Sequence, residues 1–270
     1  MSLGVWVRSS ALLAAIVVAP QVALANHPVL VEGELDFDGD GVVGLAEDTD
    51  GDLVFGTITR ALGAAPAIGQ NGTVFIVTSG RFPEVVSITN QVTLEAAPGV
   101  VASIDAFLVP ADPRLNDFPA AQADPFALQN APGIIVDSPR NRYVILRNLS
   151  VVNWTNGIEV RGDSRVLVDN VRSEHNINNG LTVLNRARVA VRNSVFAATG
   201  FRLNPMTGDF PTTADPNRGS GINFLADSSG DITNSTVSGN FDDGIRLRTR
   251  GTVNITNVQS FDNERRNELR

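Results

Sequence analysis

The sequence contains no cysteine and no lysine, and only two histidines, His27 and His175, occur among its 270 residues. Without cysteine, no disulfide can stabilise the chain in an oxidising compartment. All 21 basic residues are arginine, which excludes mechanisms that need a lysine nucleophile or base. The formal net charge is −8 without any basic cluster, and nucleic-acid binding needs a concentrated positive surface. We therefore expect no nucleic acid as a partner.

The first 25 residues have the features of a secretory signal peptide. Arg8 supplies the positive start, Ala11–Ala19 is an apolar run, and Ala23-Leu24-Ala25 has the small-x-small pattern that signal peptidase accepts. The apolar run is too short to span a hydrocarbon core of ~30 Å, and no later stretch has the necessary length. We predict a signal peptide over residues 1–25 and an exported protein, extracellular or periplasmic, with no membrane span. An N-terminal anchor is the alternative.

A repeat of 22–23 residues occupies positions 140–257, and two independent markers follow it. One marker is an asparagine that ends an apolar run, and the other is a glycine followed by an apolar residue. The asparagines are Asn148, Asn170, Asn193, Asn234 and Asn257, and the glycines are Gly133, Gly157, Gly180, Gly221 and Gly244. Both series contain one step of 41, which is 23 plus 18 inserted residues. Self-similarity at a fixed period predicts a solenoid.

Apolar and polar residues alternate within each repeat. Val166 and Val168 alternate with Leu167 and Asp169, and a period of two predicts a strand with one buried face. Such short strands bury that face only by stacking on identical units about 4.8 Å away. Since parallel crossovers are overwhelmingly right-handed, we predict an all-β fold, a single-stranded right-handed parallel β-helix. We expect the asparagines to stack in one column and the glycines to form a second turn that requires φ > 0.

The repeat resembles the pectin-lyase-like family of right-handed parallel β-helix proteins over about residues 54–262. The segment 55–62 is similar to the short N-terminal capping helix of such solenoids, and the apolar strands between residues 74 and 94 are similar to a first irregular coil. The resemblance implies the fold. It leaves the activity open, because the same fold hosts lyases, hydrolases, epimerases, binding modules and adhesins.

An acidic segment, residues 26–53, precedes the predicted β-helix domain, residues 54–270. Residues 36–47 match the twelve-residue calcium loop D-x-D-x-D-G-x5-E. Four carboxylates and one backbone carbonyl would bind the ion. The predicted ligands are Asp36, Asp38, Asp40, Val42 and Glu47. We predict a structural Ca²⁺ site, and a solvated acidic linker without metal is the alternative.

Two segments without periodicity, 110–132 and 200–218, interrupt the solenoid. Long loops in a compact repeat are usually functional or disordered. Both end at the glycine column, three coils apart, so we expect them on one edge. The residues between them predict a glycan-binding groove, because sugar rings stack on aromatic faces and sugar hydroxyls need polar groups. The predicted ligand-binding residues are Trp154, Glu174, His175 and Asn176. In the alternative, the tryptophan covers the core and the histidine is a solvated turn residue.

The first functional hypothesis is a secreted protein that binds polysaccharide or another extracellular polymer without catalysis. The second is a lyase or hydrolase that acts on acidic polysaccharide. Asp242-Asp243 resembles the paired carboxylates of polygalacturonase-type hydrolases, but their Gly-His-Gly and Arg-Ile-Lys motifs are absent. Arg147, Asp169 and Arg192 would share one outward row, and alternating charges on such a row are typical of surface ion pairs.

A third hypothesis is a cell-surface scaffold or adhesin module. The residues that follow Asn257 are few and mostly polar, and an uncovered last coil would expose strand edges. Either residues 262–270 fold over that coil or another chain packs on it.

Chelation tests the calcium loop. An ion that binds only the folded state stabilises it by RT ln(1 + [L]/Kd), about 2.7 kcal/mol at a hundredfold excess over Kd. We expect a higher Tm in calcium than in chelator when both melts are followed by circular dichroism. Identical Tm values would count against the site.

Overall fold

The computed structural model describes residues 29–31, 54–68, 72–106, 128–200 and 219–264. These residues form a parallel β-helix in which the coils from Gly72 onward contribute strands to three sheets in turn. The predicted repeat fold is therefore confirmed. No helix in these ranges has both the length and the apolarity of a membrane span.

The three sheets, here named A, B and C in the order in which the chain visits them, consist entirely of parallel neighbours. Sheet A contains β1 (Val29–Val31), β2 (Val54–Phe55), β3 (Gly72–Ile76), β6 (Val92–Ala96), β9 (Tyr143–Arg147), β12 (Arg165–Asp169), β15 (Arg188–Arg192), β18 (Ser229–Thr233) and β21 (Val253–Thr256). Sheet B contains β4 (Gly80–Phe82), β7 (Ala102–Asp105), β10 (Leu149–Val152), β13 (Arg172–Glu174), β16 (Val195–Ala197), β19 (Thr236–Ser238) and β22 (Gln259–Phe261). Sheet C contains β5 (Val86–Ile88), β8 (Ile134–Val136), β11 (Asn156–Val160), β14 (Asn179–Val183), β17 (Ser220–Ala226) and β20 (Ile245–Thr249).

The inward positions of the three sheets form one continuous apolar core. In sheet A, the register places Leu146, Val168, Val191 and Ile232 next to one another in successive coils, and all four are fully buried. Burying each such side chain contributes roughly 1.5–3 kcal/mol. In β12, Val166 and Val168 are buried and Asp169 is partly exposed, as the predicted alternation requires, but Leu167, which the alternation places on the outer face, is buried as well.

The asparagine column follows sheet A and makes the turn into sheet B. All five asparagines have φ between 49° and 57°, the left-handed region in which asparagine is the best-tolerated residue after glycine. Asn170 donates from Nδ2 to Oδ1 of Asn148 at 2.8 Å, and Asn257 donates likewise to Asn234 at 2.8 Å. Asn193 donates to the Asp169 carboxylate instead, at 3.1 Å. The predicted stacking is thus confirmed, although amide–amide hydrogen bonds form at two of the four steps between these asparagines and not on either side of Asn193.

The glycine column has a different cause from the one we predicted. None of the five marker glycines has a positive φ, so the prediction of a left-handed turn is wrong. They are required because a side chain would not fit. A Cβ on Gly157 would lie 2.1 Å from Ser173 Oγ, and one on Gly133 would lie 2.6 Å from the Trp154 ring. The left-handed backbone conformation occurs instead at the column asparagines, in the turn from sheet A into sheet B.

The helix α1 (Ile58–Ile68) covers the N-terminal end of the core. It confirms the predicted capping helix, and it begins three residues later than residue 55. Its buried residues are Ile58, Ala61 and Ala65. The carboxylate of Glu84 binds the first turn of this helix, because Oε1 accepts from the Ile58 amide at 2.7 Å and Oε2 from the Thr59 amide at 2.8 Å. This contact satisfies two of the amides that every helix start leaves unpaired.

The C-terminal end of the described solenoid is open. The strands β20, β21 and β22 each pair with one neighbour among the described residues. Val253 and Ile255 point toward the core but are only partly buried, and Phe261 is 45% exposed. What covers this coil, a later part of the chain or another chain, stays a prediction.

Substitution of Glu84 tests the helix contact. Burial raises the pKa of the Glu84 carboxyl, and hydrogen bonds from Thr59 and Ile58 oppose the rise to a smaller extent. A carboxyl whose pKa is higher in the folded state stabilises most below its ordinary pKa of about 4.3 and loses that contribution as the pH rises. Glu84→Gln does not titrate at this position. We therefore expect the difference in Tm between the wild type and Glu84→Gln to favour the wild type most in acid and to decrease toward neutral pH.

Glu84→Ala removes both acceptors and should cost about 1–3 kcal/mol at every pH. Thermal melts of the three proteins between pH 4 and pH 8 provide the measurement. A wild-type advantage over the glutamine variant that grows with pH would contradict this assignment.

Candidate functional site

Two of the four residues predicted to bind a glycan lie inside the solenoid. Trp154 is fully buried, and its indole Nε1 donates to the carbonyl of Ile104 at 2.9 Å. Asn176 is also fully buried, and its Oδ1 accepts from the Trp154 amide at 3.1 Å. A buried ring offers no face to a sugar, so the prediction is wrong for Trp154 and Asn176. The alternative, in which the tryptophan covers the core, is the arrangement found.

Glu174 and His175 lie at the same turn but share no open groove with the tryptophan. The Glu174 carboxylate accepts from Arg172 Nε at 2.5 Å. His175 has a φ of 55°, which fits a residue selected for its turn. Ligand binding at Glu174 and His175 stays a prediction. The exposed aromatic ring that the predicted groove required is not present there, because Trp154 is buried.

The sequence pattern hides a buried polar column that explains this arrangement. The residue six positions after each column asparagine points inward, and the buried polar members are Asn176, Thr199, Asn240 and Asn263. Asn240 donates from Nδ2 to Asn263 Oδ1 at 2.7 Å and accepts from Thr199 Oγ1 at 2.8 Å. Trp154 occupies the same slot in the first coil of the series. The sequence carries a signal for this column, a second asparagine at a constant offset from the first, at positions 176, 240 and 263.

The two interrupting segments were predicted to lie on one edge of the solenoid. The described residues on either side of each segment confirm this placement. Ala106 and Leu128 flank the first gap, and Gly200 and Gly219 flank the second. Each gap lies between a strand of sheet B and a strand of sheet C, and β8 and β17 are three coils apart. The interior of both segments lies outside the described residues.

The calcium loop, residues 36–47, also lies outside the described residues, as do residues 1–25. Both therefore stay predictions. Within the described ranges, no group of three or more His, Cys, Asp or Glu could hold a metal ion.

An open groove of about 580 Å³ lies on the outer face of sheet A, and we name it the arginine groove. The parallel register places Tyr143, Arg165, Arg188 and Ser229 next to one another on four successive coils. The groove is lined by Arg140, Tyr143, Asp163, Arg165, Val166, Arg186, Arg188, Val189, Ala190, Asp227, Ser229, Gly230, Asp231, Gly251, Thr252 and Asn254. Residues from five coils therefore contribute to one surface.

The polar groups of the arginine groove are only partly paired with each other. Arg186 binds Asp163 through two hydrogen bonds of 2.7 and 3.1 Å. The Asp231 carboxylate accepts from Asn254 Nδ2 at 2.8 Å. Arg165 and Arg188 are exposed, and no acidic side chain within the described ranges forms an ion pair with either. The two arginines lie on neighbouring strands, which are about 4.8 Å apart. Their like charges repel each other and together attract an anion.

The tyrosine adds an aromatic surface to this row. Tyr143 is 42% exposed, although large apolar side chains elsewhere in the solenoid are mostly buried. Its ring lies in the same register column as the two arginines. The arrangement can therefore offer a flat face and charged donors to one ligand.

The other charged residues considered in the sequence are bound within the protein. The outward row of Arg147, Asp169 and Arg192 is confirmed by the register, and Arg147 pairs with Glu95 at 3.2 Å and with Asp169 at 3.4 Å. Partly exposed pairs of this kind stabilise little. The Asp242-Asp243 carboxylates both contact Arg246, the second of them at 2.8 Å. The row and the acidic pair thus have structural partners.

Comparison with known proteins supports the fold. The model of the family described as "Right handed beta helix region" matches residues 132–266, which is half of the chain. Crystal structures of the pectin methylesterase from Aspergillus niger, in deglycosylated and penultimately deglycosylated forms, are 13% identical, with 90% of this chain and 89% of that chain covered and a TM-score of 0.35. A likeness this low carries no argument about activity. No curated protein matches the chain.

Removal of one member tests the buried polar column. Asn240→Ala leaves the Thr199 amide and the Thr199 hydroxyl without the Asn240 Oδ1 that accepts from both, at a cost of about 1–3 kcal/mol for each unsatisfied group. We expect a clear fall in Tm. Asn254→Ala removes one exposed hydrogen bond, to Asp231, and serves as the control with a small effect. Equal Tm changes in the two variants would contradict the column's role.

Proposed function

The chain belongs to the right-handed β-helix family, and we propose that it binds a polysaccharide along the arginine groove without cleaving it. The observation that carries the proposal is the register row in which Tyr143, Arg165 and Arg188 lie side by side on an open face. Secretion and the calcium site belong to the same proposal, as expectations from the sequence.

The chemistry of this row suits a saccharide. A tyrosine ring presents an apolar face with a polar edge, which matches the alternating C–H and hydroxyl surfaces of a sugar ring. Guanidinium groups donate several hydrogen bonds in a fixed planar geometry. Ligand sites combine an apolar surface with a few placed polar groups in this way.

The shape of the groove supports a polymer rather than a small molecule. Its lining residues come from five successive coils, β9 to β21. Four coil steps of about 4.8 Å give a length of roughly 19 Å along the solenoid axis. A groove of this length on an open sheet face accommodates several sugar units in a row.

The hydrogen bonds made by two aspartates of the arginine groove support binding without cleavage. Glycoside hydrolysis uses a general acid together with a second carboxylate that acts as base or nucleophile. Both oxygens of Asp163 accept from Arg186, and Asp231 accepts from Asn254. These contacts favour structural or recognition roles for Asp163 and Asp231.

Variants on the groove provide the test. Tyr143→Ala removes the ring and Arg165→Gln removes one charge, and each should weaken binding about tenfold or more, the equivalent of one charged hydrogen bond of roughly 1.5–3 kcal/mol. Arg192→Gln, an exposed arginine at the other end of β15, is the matched control. The measurement is binding to a glycan array, followed by titration calorimetry.

Three outcomes would contradict the proposal. Unsaturated products or new reducing ends after incubation with polygalacturonate or alginate would show catalysis. Full binding by Tyr143→Ala and Arg165→Gln would place the site elsewhere. No glycan binding, together with concentration-dependent association in light scattering, would favour the scaffold hypothesis that the open C-terminal coil suggests.

A further inference from the structure

The arginine groove has two halves of opposite charge. The half formed by the coils of β9, β12 and β15 contains four arginines, and its single aspartate is bound by one of them. Its charged residues are Arg140, Arg165, Arg186, Arg188 and Asp163. The half formed by the coils of β18 and β21 contains two aspartates, Asp227 and Asp231, and no arginine lines it.

The change of sign takes place over one coil step. Arg188 is the register neighbour of Ser229, and Ala190 is the register neighbour of Asp231. Arg188 and Asp231 therefore lie on adjacent strands, β15 and β18, about 4.8 Å apart along the axis. The remaining polar groups of the second half are hydroxyls and an amide, from Ser229, Thr252 and Asn254.

We infer that the polysaccharide ligand carries acidic and neutral sugar units in the same chain, rather than an acid group on every unit. This inference rests on the proposed function. An acidic unit binds in the basic half, where Arg165 and Arg188 have no acidic partner within the described ranges. A neutral unit binds in the acidic half, where its hydroxyls donate to the carboxylates of Asp227 and Asp231.

The two simpler kinds of polymer fit less well. A polymer with an acid group on every unit would place negative charge beside Asp227 and Asp231, in a half of the groove that no arginine lines, and like charges repel each other. A neutral polymer would leave the two arginines without an anion. Specificity of this kind arises from the repulsive half of a site as well as from its attractive half.

Three oligosaccharides of equal length separate these possibilities. Oligogalacturonate carries an acid on every unit, a hyaluronan oligosaccharide alternates acidic and neutral units, and a cello-oligosaccharide is neutral. By calorimetry at fixed salt, we expect wild-type protein to bind the hyaluronan oligosaccharide about tenfold more tightly than either other probe.

Variants that remove charges then show which half of the arginine groove causes the preference among the three oligosaccharides. Asp227→Asn combined with Asp231→Asn should raise the affinity for oligogalacturonate about tenfold and lower that for the hyaluronan oligosaccharide, because its neutral units lose two charged acceptors. Arg188→Gln should lower affinity for both acidic probes. Asp262→Asn, an exposed aspartate at a left-handed turn of the last coil, is the control and should change nothing. Equal Tm values for all proteins verify that the variants fold.

The outcomes distinguish this inference from the proposed function. Oligogalacturonate or cello-oligosaccharide that binds as tightly as the hyaluronan probe would overturn the inference and leave polysaccharide binding in place. The same holds if the double aspartate variant gains no affinity for oligogalacturonate. No binding of any probe, or binding that Arg188→Gln does not affect, would overturn the groove as the site and the inference with it.

Discussion

Hydrogen bonding between successive coils is the constraint on which the rest of the structure depends. The strand N–H and C=O groups pair with the coils before and after at a spacing of about 4.8 Å, and every sheet is parallel. Residues at the same position in successive coils are therefore direct neighbours, and they form columns that run along the solenoid axis. Inward columns such as Leu146, Val168 and Val191 form the core, while turn columns bring amides into contact. Outward columns determine what the surface can bind.

The same constraint explains the surface that we propose as the binding site. Tyr143, Arg165 and Arg188 are more than twenty residues apart in sequence from one to the next, and the register makes them neighbours. No single repeat contains a binding site. The arginine groove exists because three consecutive coils place an aromatic or cationic residue at the first outward position of sheet A, and the next coil places an acidic residue close by, Asp231.

Columns also have ends, and the two ends of this solenoid differ. At the N-terminal end, α1 lies over the core, and Glu84 binds its first amides at the cost of burying a carboxylate, which raises the pKa of that group. At the C-terminal end of the described residues, Val253 and Ile255 are only half covered. A partly exposed apolar edge is the feature that the scaffold hypothesis requires.

The sequence by itself determined the period, the parallel stacking and the asparagine column, because period-two apolar alternation and a repeated turn residue are local signals. Only the tertiary structure decided the rest. It showed that Gly157 is needed for space rather than for φ, and that Trp154 is buried, since what lies beneath a residue depends on the neighbouring coil. It also assembled the arginine groove: the sequence places Arg165 and Arg188 in separate repeats, and only the register of hydrogen bonds between coils brings their charges together.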